Sequence, residues 1–293
     1  MCDDFTDRAV YAALARDAAA AGVSRREFAA IGAAAALAGY AGAACAREAR
    51  VIESDVQVPT PDGTSDCFFV HPIKGTHPGI ILWPDIGGLR EAKKAMARHL
   101  AAAGYAVLAV NPYYRSARAP VMESFAEFRT PEGRAKVMPM VALLTSEAVS
   151  RDGAAYAAFL DTQKAVDRRR GIGTQGYCMG GPFAVRTAAA APGRVKAAAS
   201  FHGGGLVTDK PDSPHKLLAA TQASYLFAIA RNDDTKAPTD KDTLRAAAAE
   251  AHRPAEITVY PADHGWCVPD SPVYDRVEAD RAWEQLLALY ARL

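Results

Sequence analysis

The sequence predicts an α/β domain with a mostly parallel central sheet, helices on both faces, and a single domain over residues 49–293. Short apolar runs recur along this part of the chain, as expected for strands buried on both faces. They alternate with helical patterns, and such alternation is typical of βαβ units and a parallel sheet. No internal repeat or second domain is evident.

The elements are expected in a definite order. Two segments, 55–58 and 66–70, alternate like the strands of a hairpin around the Pro61-Asp62-Gly63 turn. Buried strands are then predicted at 79–83, 105–110, 171–177, 195–201, 225–230 and 256–260. Helices are predicted at 90–103, 151–168, 238–251 and 273–293, with another directly after the strand that begins at Gly171.

Residues 111–150 break this regularity. The segment contains several prolines, three methionines and no clean period. We expect a partly helical excursion over the top of the sheet that forms a pocket wall or lid, because long connections in compact domains are usually functional.

Composition excludes several classes of protein. The chain has 293 residues, half of them hydrophobic, and a net charge of +1. The sequence lacks the basic stripe that would indicate nucleic-acid binding. The five cysteines are scattered and lack metal-ligand spacing, so neither a metal site nor a disulfide framework is expected. We expect no cofactor.

The first 48 residues are predicted to be an export signal and linker. Arg25 and Arg26 precede an uncharged run, Ala29 to Ala44, which is too short and too weakly hydrophobic for a membrane span. Twin arginines before such a run resemble a twin-arginine signal, which predicts a periplasmic protein. Two alternatives are a cytoplasmic protein with an uncleaved extension and, less favoured, lipid anchoring at Cys45.

One tight turn carries the main chemical signal. Gly176-Tyr177-Cys178-Met179-Gly180 has the Gly-x-Cys-x-Gly form of a nucleophile elbow, with a thiol where serine is more usual. Glycines flank such a nucleophile because the backbone passes very close there. By itself the pattern also fits a buried cysteine on a packing turn.

Other polar residues follow the ends of predicted strands, where sites lie in open α/β sheets. His264 is a candidate base for the Cys178 thiol, and Asp233 or Asp234 is the candidate acid that orients it. Counting forward from the strand favours Asp233, and counting back from Pro238 favours Asp234. The order nucleophile, acid, histidine is that of the α/β-hydrolases.

From about residue 53 onward the chain resembles the dienelactone hydrolases, which have the α/β-hydrolase fold. The matching segments are Trp83-Pro84-Asp85-Ile86-Gly87-Gly88, Gly104-Tyr105-Ala106-Val107, Asn111-Pro112-Tyr113, Gly176-Tyr177-Cys178-Met179-Gly180-Gly181 and Ala262-Asp263-His264-Gly265-Trp266. The resemblance implies a Cys178 nucleophile, a His264 base and an oxyanion hole formed by the N–H groups of Met179 and Ile86.

The resemblance also implies substrate contacts. Asp85 stands where the family often has a glutamate that holds the resting thiol, and it is one methylene shorter. Arg115 matches one of two arginines that grip a substrate carboxylate, whereas the position of the other, just past His264, has no arginine. His202 either lines the pocket or caps a local turn, and Trp266 is expected to wall the pocket.

The implied function is hydrolysis of a small carboxylic ester or lactone, of the dienelactone type, by a monomer or homodimer without nucleic-acid or membrane partners. Two alternatives stay open. One is a broader thioesterase or acyltransferase that uses the same three residues. The other is a non-catalytic binding or redox-sensing protein that exposes Cys178.

Overall fold

The computed structural model describes residues 50–293, so the predicted export signal within residues 1–48 lies outside the described part. The described residues form one compact unit. Its eight strands form a single sheet in which six neighbouring strands are parallel. The predicted α/β architecture is therefore confirmed.

The sheet has the order β1-β2-β4-β3-β5-β6-β7-β8. Its strands are β1 Val51–Thr60, β2 Gly63–Pro72, β3 Gly79–Trp83, β4 Ala106–Ala109, β5 Ile172–Tyr177, β6 Val195–Phe201, β7 Ser224–Ala230 and β8 Ala255–Tyr260. β1 and β2 form the predicted hairpin, which is antiparallel and longer than its alternating core suggested. The hairpin lies at one edge, so the carboxyl ends of β3 to β8 share one rim.

The helices cover both faces of the sheet. They are α1 Glu91–Ala102, α2 Phe125–Phe128, α3 Pro131–Val141, α4 Ser146–Thr162, α5 Gly180–Ala190, α6 Pro214–Leu217, α7 Arg231–Lys236, α8 Asp240–Glu250 and α9 Arg276–Tyr290. No helix in the described range is long and apolar enough to cross a bilayer.

β3 is apolar along its whole length because both of its faces are buried. Ile80 and Leu82 belong to the core cluster under α1 and α9, whereas Ile81 and Trp83 belong to the opposite cluster under α4, α5 and α8. Successive side chains of a strand point to opposite faces, and here both faces are buried. β3 therefore contributes side chains to both core clusters, one on each face of the sheet.

Residues 111–150 form a third, smaller cluster above the rim. Tyr113, Val121, Met122 and Val137 are buried there, and Ile86 and Met179 pack against them. The segment contains α2, α3 and the start of α4 and is therefore partly helical. It contacts the loops that follow β3 and β5, which are the loops expected to form the site.

Candidate active site

Cys178 occupies a strained turn between β5 and α5. Its φ is +53°, a left-handed value that is unusual for a residue with a side chain. A Cβ on Gly176 would lie 1.8 Å from the carbonyl oxygen of Gly180, and one on Gly180 would lie 2.5 Å from that of Pro84. Only glycine fits at either position, so the sequence motif and the backbone require each other.

His264 follows β8 and is oriented by two contacts with the chain after β7. Its backbone N–H donates to Asn232 Oδ1 at 2.9 Å, and its Nδ1 lies 2.6 Å from Asp233 Oδ2. Burial lowers the pKa of His264, but the bond to Asp233 and the neighbouring Cys178 sulfur outweigh burial and raise the pKa to about 10. The imidazole is therefore a strong proton acceptor beside the thiol.

The two candidate acids point to different partners. Asp233 meets His264, whereas Asp234 accepts two hydrogen bonds from Lys241 Nζ at 2.7 and 2.9 Å. Both belong to α7, which begins directly after β7 in place of the expected loop. Consecutive residues of a helix project about 100° apart, so only one of them can face the histidine.

Two backbone N–H groups in the loops that follow β3 and β5 are candidates for an oxyanion hole. The N–H groups of Ile86 and Met179 have no acceptor among residues 50–293. Tyr113 Oη donates to the Ile86 carbonyl at 2.7 Å and lies 3.8 Å from Met179 Sδ, which braces both loops. Unpaired donors held in this way can stabilise an oxyanion.

Asp85 is buried in a network of charged side chains. Arg90 donates to its two oxygens at 2.7 and 3.1 Å, and Lys93 Nζ lies 2.8 Å away. Burial raises the pKa of Asp85, but Lys93 and Arg90 outweigh burial and hold the pKa well below its usual range. Asp85 borders the cavity over Cys178, but its carboxylate forms ion pairs with these two cations.

Arg115 does not line this cavity. Its guanidinium binds Asp152 at 2.8 Å and Asp62 at 2.6 Å, and its side chain is mostly buried between them. The position of Arg115 therefore does not support the expectation that it grips a substrate, because its guanidinium is already paired with two carboxylates. Both carboxylates are far from Arg115 in the sequence.

His202 forms one wall of the cavity, and Trp266 packs behind it in the core. His202 borders the cavity, and its Nδ1 accepts a hydrogen bond from the Cys178 N–H at 3.1 Å. Trp266 is fully buried, stacks on Tyr260 at 5.0 Å and meets the His202 ring at 5.3 Å. The expectation that Trp266 walls the pocket was wrong, since this indole supports the wall from inside the core.

The cavity over Cys178 is small, about 10 Å³, which is near the least volume that holds one water molecule. Its lining residues are Asp85, Phe125, Cys178, His202, His264, Gly265, Val268 and Ser271. No lysine or arginine is among them. Within residues 50–293 no group of three or more His, Cys, Asp or Glu side chains is arranged to hold a metal ion.

Several residues around the site were not predicted from the sequence. Arg90 and Lys93 are spaced by three just after Asp85, and this charge cluster at a strand end was a usable signal. Phe125 and Asp270 gave none, because they reach the site only through tertiary folding: the Phe125 N–H donates to Asp270 Oδ2 at 3.1 Å.

A model of the dienelactone hydrolase family matches residues 66–293. The chain belongs to the dienelactone hydrolase family. Its membership makes it a carboxylic ester hydrolase. The predicted family resemblance is thereby confirmed.

Relatives of this dienelactone hydrolase family member carry related names. A Methylorubrum extorquens protein named "Putative carboxymethylenebutenolidase" is 28% identical over 242 residues, which cover 80% of this chain and 79% of that protein. A Yersinia pestis protein of the same name is 29% identical over 224 residues, covering 73% and 77%.

Solved structures share the fold. The crystal structure of a "Putative Dienelactone Hydrolase" from Klebsiella pneumoniae aligns with a TM-score of 0.71 at 23% identity, covering 83% of this chain and 100% of that one. The dienelactone hydrolase-like promiscuous phosphotriesterase P91 from metagenomic libraries aligns with a TM-score of 0.66 at 19% identity, covering 83% and 98%. The α/β-hydrolase fold expected from the sequence is thus confirmed.

Proposed function

We propose that this family member cleaves a carboxylic ester or lactone through a covalent acyl-enzyme on Cys178, with His264 as base and Asp233 as its acid partner. One observation carries the proposal: His264, whose Nδ1 is 2.6 Å from Asp233, borders the same cavity as Cys178. Asp233 fixes the tautomer and orientation of the imidazole, so that Nε2 is left to accept the thiol proton.

In the first half-reaction His264 takes the proton of the Cys178 thiol, and the sulfur attacks the carbonyl carbon. The carbonyl electron pair moves to its oxygen, which accepts hydrogen bonds from the N–H groups of Ile86 and Met179. Each such donor is worth roughly 3 kcal/mol in known oxyanion holes. The intermediate collapses as the C–O bond breaks, and the leaving oxygen takes the proton from His264.

In the second half-reaction water attacks the thioester carbon. His264 accepts a proton from this water, the C–S bond breaks, and the proton passes to the departing sulfur. The products are the free acid and the restored thiol. The sequence needs no redox partner, and every proton that His264 takes up is returned within the same half-reaction.

We further propose an uncharged ester or lactone as the substrate. The lining contains one carboxylate, Asp85, whose charge is matched by Arg90 and Lys93, and it contains no lysine or arginine. Arg115 is neutralised by Asp62 and Asp152. A substrate carboxylate would lose part of its hydration in this cavity without a lysine or arginine to bind it, which is costly.

The test compares wild type, Cys178→Ala and Cys267→Ala on p-nitrophenyl acetate and on an enol-lactone with and without a carboxylate. We expect Cys178→Ala to be inactive, Cys267→Ala to be active, and the neutral lactone to be preferred. A single acetyl group should appear on the peptide that contains Cys178. If Cys178→Ala keeps full activity, the proposed function fails.

Residues 1–48 are proposed to direct twin-arginine export to the periplasm. This route carries folded proteins and so suits a domain with an unpaired working thiol. Residues 1–48 fused to a folded reporter should export it, and Arg25→Lys with Arg26→Lys should retain it in the cytoplasm. Export of the double variant at the wild-type level would overturn this proposal.

A further inference from the structure

His202 is the one histidine in the cavity wall that the proposed mechanism leaves unused. It follows β6 with a φ of +41°, and it is 1% exposed. Its Nδ1 accepts the Cys178 backbone N–H at 3.1 Å, a bond that this N–H shares with the Phe201 carbonyl at 3.0 Å. The imidazole is therefore fixed to the strained turn that carries the nucleophile.

The bond to Cys178 determines the tautomer. An Nδ1 that accepts an N–H must carry a lone pair, so the single proton of the neutral ring is on Nε2. Burial, and after it the proximity of His264 and Lys93, holds the pKa of His202 well below its ordinary value. The ring is therefore a neutral donor with one N–H to offer.

That N–H has no acceptor. Nε2 of His202 is buried and has no hydrogen-bond partner in the described part of the chain. Leaving a buried donor unpaired costs free energy, so such groups in native sites call for an explanation. The ring borders the cavity over Cys178, where a substrate oxygen would enter as the acceptor.

The neighbours of His202 indicate which oxygen this is. Its ring centroid is 4.6 Å from that of His264, the group that must deliver a proton to the leaving oxygen. Trp266 packs edge-to-face against His202 at 5.3 Å and limits its movement. A donor fixed beside the proton-delivering histidine is close to the oxygen that receives the proton.

We propose that His202 is a further catalytic residue: its Nδ1 holds the Cys178 amide in place, and its Nε2–H donates to the leaving oxygen of the ester or lactone. This inference rests on the proposed function. As the C–O bond breaks, its electron pair moves onto the oxygen and the proton comes from His264. His202 keeps its own proton and stabilises the charge that develops meanwhile.

The proposal assigns a substrate class. Sulfur is a weak hydrogen-bond acceptor, so a thioester gains little from this donor, whereas an oxygen ester gains most when its leaving group is a poor one. The site is thereby built for oxygen esters and lactones in preference to thioesters.

Two substitutions test the roles of the two His202 ring nitrogens separately. In His202→Asn the amide oxygen can take the Nδ1 position and keep the bond to Cys178, but no donor reaches the Nε2 position. Asparagine also tolerates a positive φ. In His202→Gln the amide nitrogen can take the Nε2 position and restore the donor. His252→Asn is the matched control, since His252 has a φ of +53° and is exposed at the surface.

The readout is the ratio of kcat/KM for phenyl acetate to that for S-phenyl thioacetate. We expect His202→Asn to lower this ratio about tenfold or more, because a hydrogen bond to a developing charge is a strong one. We expect His202→Gln and His252→Asn to keep the ratio within about threefold of wild type. Alkylation of Cys178 by iodoacetamide should stay within about threefold in His202→Asn if the turn is intact.

An equal loss on both substrates, or a loss on neither, in His202→Asn would overturn the proposal. If that variant does not fold, His202→Gln decides: a retained ester preference supports the donor and a lost one overturns it. The two proposals fail separately. An active Cys178→Ala removes the mechanism itself, whereas a His202→Asn protein with the wild-type ratio removes only the role of His202.

Discussion

Arg90 holds Asp270 by two parallel hydrogen bonds of 2.7 Å, from Nε and Nη2 to the two carboxylate oxygens. The same guanidinium binds Asp85, so a single side chain links the loop after β3 to the segment that follows His264. Asp270 also accepts the N–H of Phe125. Three loops that are far apart in the sequence thus meet at one buried cation.

Replacing Arg90 by leucine should strongly destabilise the protein. It leaves the buried carboxylate of Asp85 with Lys93 as its one remaining cation and releases Asp270. Breaking a buried ion pair from one side costs about 3–5 kcal/mol of unfolding free energy. Urea unfolding followed by circular dichroism measures the loss.

Arg98→Ala is the control for Arg90→Leu. Arg98 also bridges two carboxylates, those of Glu53 and Glu91, but at the surface. Exposed pairs contribute at most about 1 kcal/mol. Equal losses in the two variants would show that burial of the Arg90 network has no special weight.

Asp233→Asn and Asp234→Asn should differ sharply in activity. An amide at position 233 favours the wrong tautomer of His264, and the corresponding change in a serine protease lowers kcat about 10⁴-fold. Asp234 pairs with Lys241 instead of His264 and should tolerate the change within about twofold. Steady-state kinetics on p-nitrophenyl acetate decides, and similar losses would contradict the assignment of Asp233.

The stability contributed by His264 should depend on pH in a defined direction. Burial lowers the pKa of His264, but Asp233 and the Cys178 sulfur outweigh burial and raise it from 6.5 to about 10. A raised folded-state pKa adds stability that is complete below the unfolded value and is lost as the pH rises through the folded value. The difference in unfolding free energy between wild type and His264→Gln should therefore shrink between these two pH values. A difference that grows over this range would be inconsistent with the raised pKa.

Gly176→Ala should prevent folding, and Gly204→Ala should not. The new Cβ at position 176 would lie 1.8 Å from a backbone oxygen of α5, whereas no atom lies within 4 Å of one at position 204. We expect a loss of more than about 4 kcal/mol for the first variant and less than about 0.5 kcal/mol for the second. Soluble yield and thermal unfolding report both, and a stable Gly176→Ala protein would refute the close approach.

Phe125→Ala should widen the site. Phe125 is one of the side chains that border the cavity of about 10 Å³, so shortening it to alanine enlarges the space over Cys178. We expect the ratio of kcat/KM for p-nitrophenyl butyrate to that for the acetate to rise several-fold. Phe128→Ala is the control, because Phe128 lies in the same short helix and packs on the third cluster instead. A similar rise in both variants would point to loosening of the helix.

The fold was largely predictable because it depends on local patterns. Continuous apolar runs identify strands buried on both faces, and Gly176 and Gly180 identify the tight turn. The position of β4 between β2 and β3 was not predictable, since several strand orders satisfy the same burial. Helix ends were also imprecise: the helix predicted over 273–293 begins at Arg276 and ends at Tyr290.

The site was predictable as far as it follows from strand ends. Cys178, His264 and the aspartate pair were predicted as candidates in this way, but the choice between Asp233 and Asp234 required the start of α7. Arg115 was misassigned because its partners, Asp62 and Asp152, are remote in the sequence. Trp266 was misassigned because its neighbour His264 is at the surface of the site while the indole itself is in the core.

The near-absence of free space over Cys178 has a kinetic consequence. An acyl group attached to the sulfur would fill the cavity, so the departing alcohol must diffuse away before a second nucleophile can approach. Competition between nucleophiles then depends on their bulk: methanol should divert part of the acyl groups from hydrolysis, whereas benzyl alcohol at equal concentration should not. In the proposed acyl-enzyme mechanism, the walls around the thiol would thereby decide whether the enzyme releases an acid or makes a new ester.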